Sequence, residues 1–294
     1  MTKGVFIILL LIPAWALCQL PQSDIWLIGI KPQHGNVRFE EPRQITSQKG
    51  YENQPGYSAD GKTIYYTVRN ETEARSVIYA YTVSNKQSKQ VTFTGMSPYS
   101  PTASPANNGI SVLMVEEDST QRIWQYPFSG SKPYVLFPKC DSIGYYAWIN
   151  TNSVLAYILG GKSSPSRLSL VEADGREKKL AEGIGRGMKV IGKEALFIKK
   201  EDSINYVYWT DYSQIKKLVK TPGNSEYLAA YKDLVLMANN GTIYGAKMKR
   251  EMGKIMELEE FAPLQDLSGN GLKKITRIAI SPDEKTMAVA VDMQ

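Results

Sequence analysis

One short pattern recurs along the 294-residue sequence and constrains its fold more than any single motif does. In the clearest copy, at residues 51–66, an apolar run leads into a Ser-x-Asp-Gly turn at 58–61 and then into a second apolar run. Residues 278–289 repeat the same order around Ser-Pro-Asp. Because an internal repeat means that each unit buries its apolar faces against its neighbours, the repeat indicates the fold class directly.

The spacing of the repeat is typical of a β-propeller. Turn residues between short apolar runs recur roughly every 40 to 50 residues; they are Gly61, Gly109, Asn152, Lys193, Asp233 and Glu284. Such a period holds four short strands with their turns, which is one blade. We therefore predict an all-β fold, namely a six-bladed β-propeller with four-stranded antiparallel blades.

The blade boundaries follow from the same turns. The predicted blades with continuous sequence span residues 55–92, 97–137, 141–181, 184–219 and 224–260. The sixth blade is predicted from both ends of the chain, with inner strands at 275–281 and 286–292 and outer strands at 24–30 and 43–46. This arrangement closes the ring by N- and C-terminal strands that share one blade, and it leaves residues 31–41 as a polar loop.

Two repeats carry a recognisable signature. The strings Pro-x-Tyr-Ser-x-Asp-Gly-Lys-x-Ile at 55–64 and Ile-Ser-Pro-Asp-x-Lys at 280–285 resemble the repeat of the TolB-like six-bladed propellers, also called WD-repeat-like. By period, the resemblance covers residues 19–294. It implies a periplasmic protein that partners an envelope lipoprotein. TolB carries a further N-terminal α/β domain before its propeller, so the expectation here is an interaction module in general.

The first residues predict a secretory signal peptide. Lys3 precedes an apolar run at 5–12 and then small residues, which favours a signal peptide over residues 1–18 with cleavage before Gln19; cleavage before Leu17 is the alternative. A lipoprotein anchored through Cys18 is less favoured, because Leu17 is bulky where such signals carry Gly or Ala. No later segment has the roughly 20 apolar residues of a membrane-spanning helix. We expect a monomeric periplasmic protein with no transmembrane segment.

The positive charge of the chain is dispersed. Lys and Arg number 35 against 29 Asp and Glu, and the excess occurs as Lys pairs near predicted strand ends. Nucleic-acid binding proteins concentrate basic residues on one face, whereas edge lysines discourage strands from pairing with other chains. No nucleic-acid partner is predicted.

The sequence offers few residues for catalysis or metal binding. His34 is the single histidine, and Cys140 alone would remain after signal cleavage, so neither a Ser-His-Asp arrangement, a zinc site nor an intramolecular disulfide is expected. The acidic runs at 116–118 and 257–260 lack the spacing of a calcium loop. We predict no cofactor, no metal and no catalytic residue.

Residues that precede the inner strands are the candidate site, because loops at that position converge around a propeller's channel. The candidates are Glu52, Asn53, Tyr99, Tyr145, Tyr146, Arg186, Glu226, Tyr227 and Asn270. Tyr and Arg are common anchors of recognition surfaces, although many of the 18 tyrosines would serve as ordinary strand residues. The predicted function is non-catalytic docking of a protein or glycan at the channel mouth. The alternative is a glycosidase that uses Glu52 and Glu226 as its two carboxylates.

Overall fold

The computed structural model describes residues 22–33, 36–70, 75–162 and 164–293. The predicted signal peptide with its cleavage site and His34 lie outside these ranges. Within them the chain is built of β-strands, with two short 3-10 turns at Pro222–Asn224 and Ser268–Asn270.

The strands follow one another in antiparallel units. The N-terminal hairpin contains β1 (Ser23–Gln33) and β2 (Asn36–Gln44). The next strands are β3 (Tyr51–Tyr57), β4 (Thr63–Arg69), β5 (Val77–Thr82) and β6 (Gln87–Gln90), then β7 (Ser97–Ala103), β8 (Gly109–Val115), β9 (Gln121–Pro127) and β10 (Tyr134–Val135), then β11 (Ile143–Asn150), β12 (Ser153–Ile158), β13 (Arg167–Glu172) and β14 (Glu177–Glu182). The remaining strands are β15 (Ile184–Ile191), β16 (Glu194–Glu201), β17 (Ile204–Thr210) and β18 (Ile215–Lys220), then β19 (Leu228–Tyr231), β20 (Leu234–Asn239), β21 (Thr242–Glu251), β22 (Lys254–Leu258) and β23 (Ala262–Asp266), and finally β24 (Ile275–Ile280) and β25 (Thr286–Asp292).

Each unit is a meander in which consecutive strands pair, as in β3 to β6 or β11 to β14. Strands from the two ends of the chain form one further unit in the order β24, β25, β1, β2. In it β1 pairs antiparallel with β25 from Ser23–Asp292 to Gly29–Thr286. A single parallel contact between Ser23 and Tyr51 joins this unit to β3.

The first strand of each unit lies beside a neighbouring unit. We call β3, β7, β11, β15, β19 and β24 the wall strands. β3 contacts β7 and β24, β15 contacts β11 and β19, and β19 contacts β24, while β11 also contacts β8 and β9. The apolar core lies between the units, where facing side chains of adjacent sheets interdigitate.

Two predictions about the strands are wrong. The outer strand expected at 43–46 is β2 at Asn36–Gln44, so much of the predicted polar loop at 31–41 is strand. Val37 and Phe39 alternate inward there and join the core, and Gln265 of β23 holds the main chain of Phe39 through two hydrogen bonds of 2.9 Å. A fifth strand, β23, pairs with β21 and was not predicted.

The Asp60-Gly61 turn has the predicted conformation. Gly61 has φ +71°, a value that residues with a Cβ rarely adopt. The Asp60 carboxylate accepts hydrogen bonds from the Ser58 hydroxyl at 2.7 Å and from the main chain of Lys62 at 3.1 Å. Asp283 makes the same pair of bonds in the last repeat, to Ser281 and Lys285. The Ser-x-Asp part of the shared signature therefore builds a turn.

Candidate functional site

A channel runs between the wall strands. Two cavities of about 170 and 460 Å³ lie one above the other in it. They share a ring of lining residues, at least one from each wall strand, which we call the waist: Pro55, Pro101, Thr102, Tyr146, Met188, Leu228 and Ile278. The smaller cavity is the mouth cavity and the larger one is the lower cavity.

The wall strands are irregular where they pass the mouth cavity. The pairing register shifts in β3 between Asn53 and Gly56, in β7 between Tyr99 and Thr102, and in β15 between Ile184 and Met188. Similar shifts occur near the starts of β11 and β24. A β-bulge leaves residues unpaired and redirects their side chains, and bulges are enriched next to functional sites. Here they present the side chains that line the mouth.

Arg277 and Tyr227 form the centre of the mouth. The guanidinium carbon of Arg277 lies 3.5 Å from the ring centre of Tyr227 and 5.2 Å from that of Tyr145. One Arg277 nitrogen also donates to the Tyr145 hydroxyl at 3.4 Å. These residues come from three different units, so only the tertiary fold brings them together.

Arg186 lies on the same opening. Its Nε is 3.5 Å from a carboxylate oxygen of Glu226, and a hydrogen bond with the Tyr227 hydroxyl raises the pKa of Arg186. Burial raises the pKa of Tyr227 to about 12, and burial likewise raises the pKa of Tyr51 nearby. Tyr51 and Tyr227 are therefore neutral near pH 7, and Arg186 keeps its charge.

Lys189 is the charged residue of the lower cavity. Its side chain is exposed to the channel water, and partial desolvation by the surrounding channel wall lowers its pKa. Lys189 has no ion-pair or hydrogen-bond partner among the residues that the structure describes. No Asp or Glu lines the mouth cavity or the lower cavity.

The structure brings most of the predicted site residues to this channel. Tyr145, Tyr146, Arg186 and Tyr227 line the mouth cavity, Glu226 is held against Arg186, and Tyr99 lines an adjacent cavity of about 390 Å³ that also includes Tyr145 and Arg186.

Three predicted site residues lie elsewhere. Glu52 is 0% exposed and Asn53 is 5% exposed, because both point into the contact between β1 and β3, where Asn53 donates to the Ser23 hydroxyl at 3.1 Å. Asn270 is exposed at the end of a 3-10 turn and lines neither channel cavity. The proposed carboxylate pair of Glu52 and Glu226 is therefore wrong, since a fully buried Glu52 cannot reach a substrate.

Arg277 is absent from the predicted site residues. It lies inside β24, at its register shift. The available signal was a lone cation within the apolar run of residues 275–280. Tyr145 and Arg186 likewise lie inside β11 and β15, so the prediction that they precede the inner strands is wrong.

Glu52 instead forms a buried carboxyl pair with Asp24. Glu52 accepts from the main chain of Gln48 at 3.0 Å, and Asp24 accepts from the Gln44 side chain at 2.8 Å. The second oxygen of each group is buried with no other partner, and the two carboxyl groups interact directly. A hydrogen bond between them requires a proton on one of them. Accordingly, burial raises the pKa of Glu52 to about 7 and also raises the pKa of Asp24.

This pair predicts an unusual pH dependence of stability. Because the folded state binds the Glu52 proton more tightly than the unfolded chain, the contribution is complete below the ordinary pKa of 4.5 and is lost as the pH rises towards about 7. We expect the free energy of unfolding to fall by up to about 2 kcal/mol between pH 5 and pH 8. Urea denaturation across this range measures it. Glu52→Gln should flatten the profile and the exposed control Glu259→Gln should not; equal slopes in all three proteins would contradict the shared proton.

Among the described residues, no helix is long and apolar enough to cross a membrane, and no three His, Cys, Asp or Glu side chains are grouped as metal ligands would be. Cys140 is a buried free thiol whose pKa is raised to about 11 by burial.

Antiparallel four-stranded units whose first strands surround a channel define a β-propeller. No protein-family profile and no curated protein matches the sequence. Among solved structures, one assigned as TolB from Agrobacterium tumefaciens is similar over 93% of this chain and 99% of its own, with TM-score 0.68 and 15% identity. The fold is thus that of the TolB-like β-propellers.

Two further structures have the same architecture. TolB from Acinetobacter baumannii is 13% identical with TM-score 0.56; the match covers 93% of this chain and 64% of that protein. An oligogalacturonate lyase from Vibrio parahaemolyticus is 13% identical with TM-score 0.53, and the match covers 90% of this chain and 86% of the lyase. At these identities the similarity concerns the fold alone.

Proposed function

We propose that this protein is a non-catalytic interaction module that docks a protein or a glycan at the mouth of its channel. The observation that carries the proposal is the convergence of Tyr145, Arg186, Tyr227 and Arg277, from four wall strands or their approaches, on one opening. Arginine and tyrosine in such a cluster are the side chains that most often anchor recognition. The cluster combines charge, hydrogen-bond donors and aromatic surface without a free carboxylate pair or a histidine.

The proposal includes a ring of six blades closed by the unit that β24, β25, β1 and β2 form. Its support is the series of contacts between neighbouring units. β3 contacts β7, the unit of β7 contacts β11 through β8 and β9, and the contacts continue through β15 and β19 to β24 and back to β3. The extended pairing of β1 with β25 supports it further. Closure matters for function, because a closed ring holds the mouth residues at fixed separations. Deletion of β1 tests whether the ring is closed in this way.

The compartment is also part of the proposal. The predicted signal peptide and the TolB-like fold support a protein exported to the periplasm, with a mature chain that starts at Gln19 or Leu17 and carries no lipid on Cys18. N-terminal sequencing of the mature protein measures this, and a diacylated Cys18 would contradict it.

The mouth is tested by changing Tyr145, Arg186 and Tyr227 together to Ala. We expect the variant to fold, because these side chains lie at the edge of the channel, and to lose most of its native partner, because hot-spot truncations typically cost about 2 kcal/mol or more each. Wild-type and variant proteins serve as baits in envelope extract, each checked by circular dichroism.

The matched control carries Tyr134→Ala and Arg176→Ala, which change an exposed tyrosine and an exposed arginine away from the channel. If the triple variant and the control recover the same partner equally well, the mouth is not the docking site.

A further inference from the structure

The channel carries an excess of positive charge at two levels. Arg186 and Arg277 lie at the mouth, and Lys189 lies below the waist. Glu226 is the carboxylate beside the mouth arginines. Among the described residues it pairs with Arg186, at 3.5 Å, and not with Arg277. Arg277 is held by tyrosine rings and a hydroxyl group, which leave its charge uncompensated.

The surroundings of Lys189 also favour an anionic ligand. Lys189 is exposed to the channel water and has no carboxylate partner in the described part of the chain, so its charge is available to a ligand that enters the lower cavity. Its neighbours in the lower cavity include Tyr57, Trp148 and Ile280, which cannot neutralise it. Because no Asp or Glu lines the lower cavity, an anionic group from outside the chain could pair with Lys189 without competition from the cavity wall.

The two levels are separated by a distance that an extended peptide can match. Arg186 and Lys189 are three residues apart along β15, which corresponds to at most about 10 Å, because the register shift between Ile184 and Met188 makes the strand less extended there. Carboxylates two or three residues apart in an extended peptide have a similar spacing. Between them lies the waist, with apolar side chains such as Met188, Leu228 and Ile278.

An acidic sugar chain fits this channel less well. Sugar rings carry hydroxyl groups around their edges and stack on free aromatic faces, whereas the waist is mostly apolar and Arg277 covers the Tyr227 face at 3.5 Å. A peptide can place an apolar side chain at the waist and carboxylates on either side of it.

We propose that the channel binds an extended acidic peptide segment, with one carboxylate at Arg186 and Arg277, an apolar side chain at the waist and a second carboxylate at Lys189. This rests on the proposed docking function and uses the same opening. It adds that the partner is an extended segment with carboxylates on either side of an apolar side chain.

The experiment selects random dodecapeptides from a display library on three proteins: the wild type, the variant with Lys189→Gln and Arg277→Gln, and a control with Arg176→Gln and Lys220→Gln. The control loses the same two charges from exposed positions. We expect the wild type and the control to enrich peptides with two Asp or Glu residues two or three positions apart, and the channel variant to lose this enrichment. By fluorescence anisotropy, a selected peptide should bind the channel variant on the order of tenfold more weakly than it binds the wild type. The same peptide with its acidic residues changed to Asn or Gln should lose a similar factor on the wild type.

The outcomes separate this inference from the docking proposal. Neutral peptides that depend on Tyr145 and Tyr227 would overturn the acidic specificity and leave the docking site in place. Selected peptides whose binding is unchanged by every mouth variant would overturn both the acidic specificity and the docking site. Oligogalacturonate that binds the channel while no acidic peptide does would overturn the choice of a peptide.

A stability measurement guards against a trivial loss of binding. Because Lys189 is exposed and has no ion-pair or hydrogen-bond partner in the described part of the chain, Lys189→Gln should melt at about the same temperature as the wild type. A strongly lowered melting temperature would mean that Lys189 has a structural partner, and the inference would fail.

Discussion

A chain that lacks residues 19–30 is expected not to fold as a stable monomer. The deletion removes the part of β1 that pairs with β25 from Ser23 to Gly29. It also removes apolar side chains from two cores, since Ile28 and Ile30 belong to the cluster with Leu236, whereas Ile25 and Leu27 belong to the cluster with Ile64. At about 1.5 to 3 kcal/mol for each buried side chain, four such losses amount to roughly 6 to 12 kcal/mol, comparable to the whole stability of a typical domain.

The measurement is size-exclusion chromatography with thermal unfolding, and the control is a chain that starts at Gln22 and keeps β1 intact. The deleted chain would expose the edge of β25 and should aggregate. A monomer with an unchanged melting temperature would contradict the role of β1 in closing the ring.

A crosslink provides a second test that does not depend on a folding failure. Leu27 lies opposite Ala288 in the β1–β25 pair, so cysteines at both positions should form a disulfide. Because the bond would close a loop of most of the chain, the oxidised protein should gain about 4 kcal/mol over its reduced form. Failure to crosslink in the folded protein would argue against the pairing.

Gly187→Ala is the second large effect. A Cβ at Gly187 would lie 1.9 Å from the carbonyl oxygen of Glu226, a main-chain atom of the neighbouring unit that cannot rotate away. The two segments must therefore separate, and we expect a loss of about 2 to 3 kcal/mol in the free energy of unfolding. The change should also weaken binding at the mouth, because Arg186 and Glu226 flank the contact.

Gly269→Ala is the matched control, since a Cβ there meets no atom within 4 Å and its φ is not positive. Urea denaturation compares the two. Equal stability of both variants would mean that β15 and the segment before β19 are not in close contact.

The sequence by itself determined the features that local chemistry controls. The Ser-x-Asp-Gly signature predicted the turn at Gly61, whose positive φ only a glycine adopts easily, and the alternation of apolar residues predicted β25 at 286–292 as observed. Period and alternation also predicted antiparallel four-stranded units, because strand length and turn chemistry are encoded within a few residues of one another.

Only the tertiary structure decided where the chemistry lies. A residue near the start of a wall strand can face the channel, as Arg186 does within the register shift of β15. It can also face a neighbouring strand, as Glu52 does where it pairs with Val68 ahead of the shift in β3. Because a bulge changes which side of a strand each side chain faces, sequence alternation cannot reveal it. For the same reason the contact of Arg277 with Tyr227, 50 residues apart in sequence, depends on how the wall strands meet around the channel.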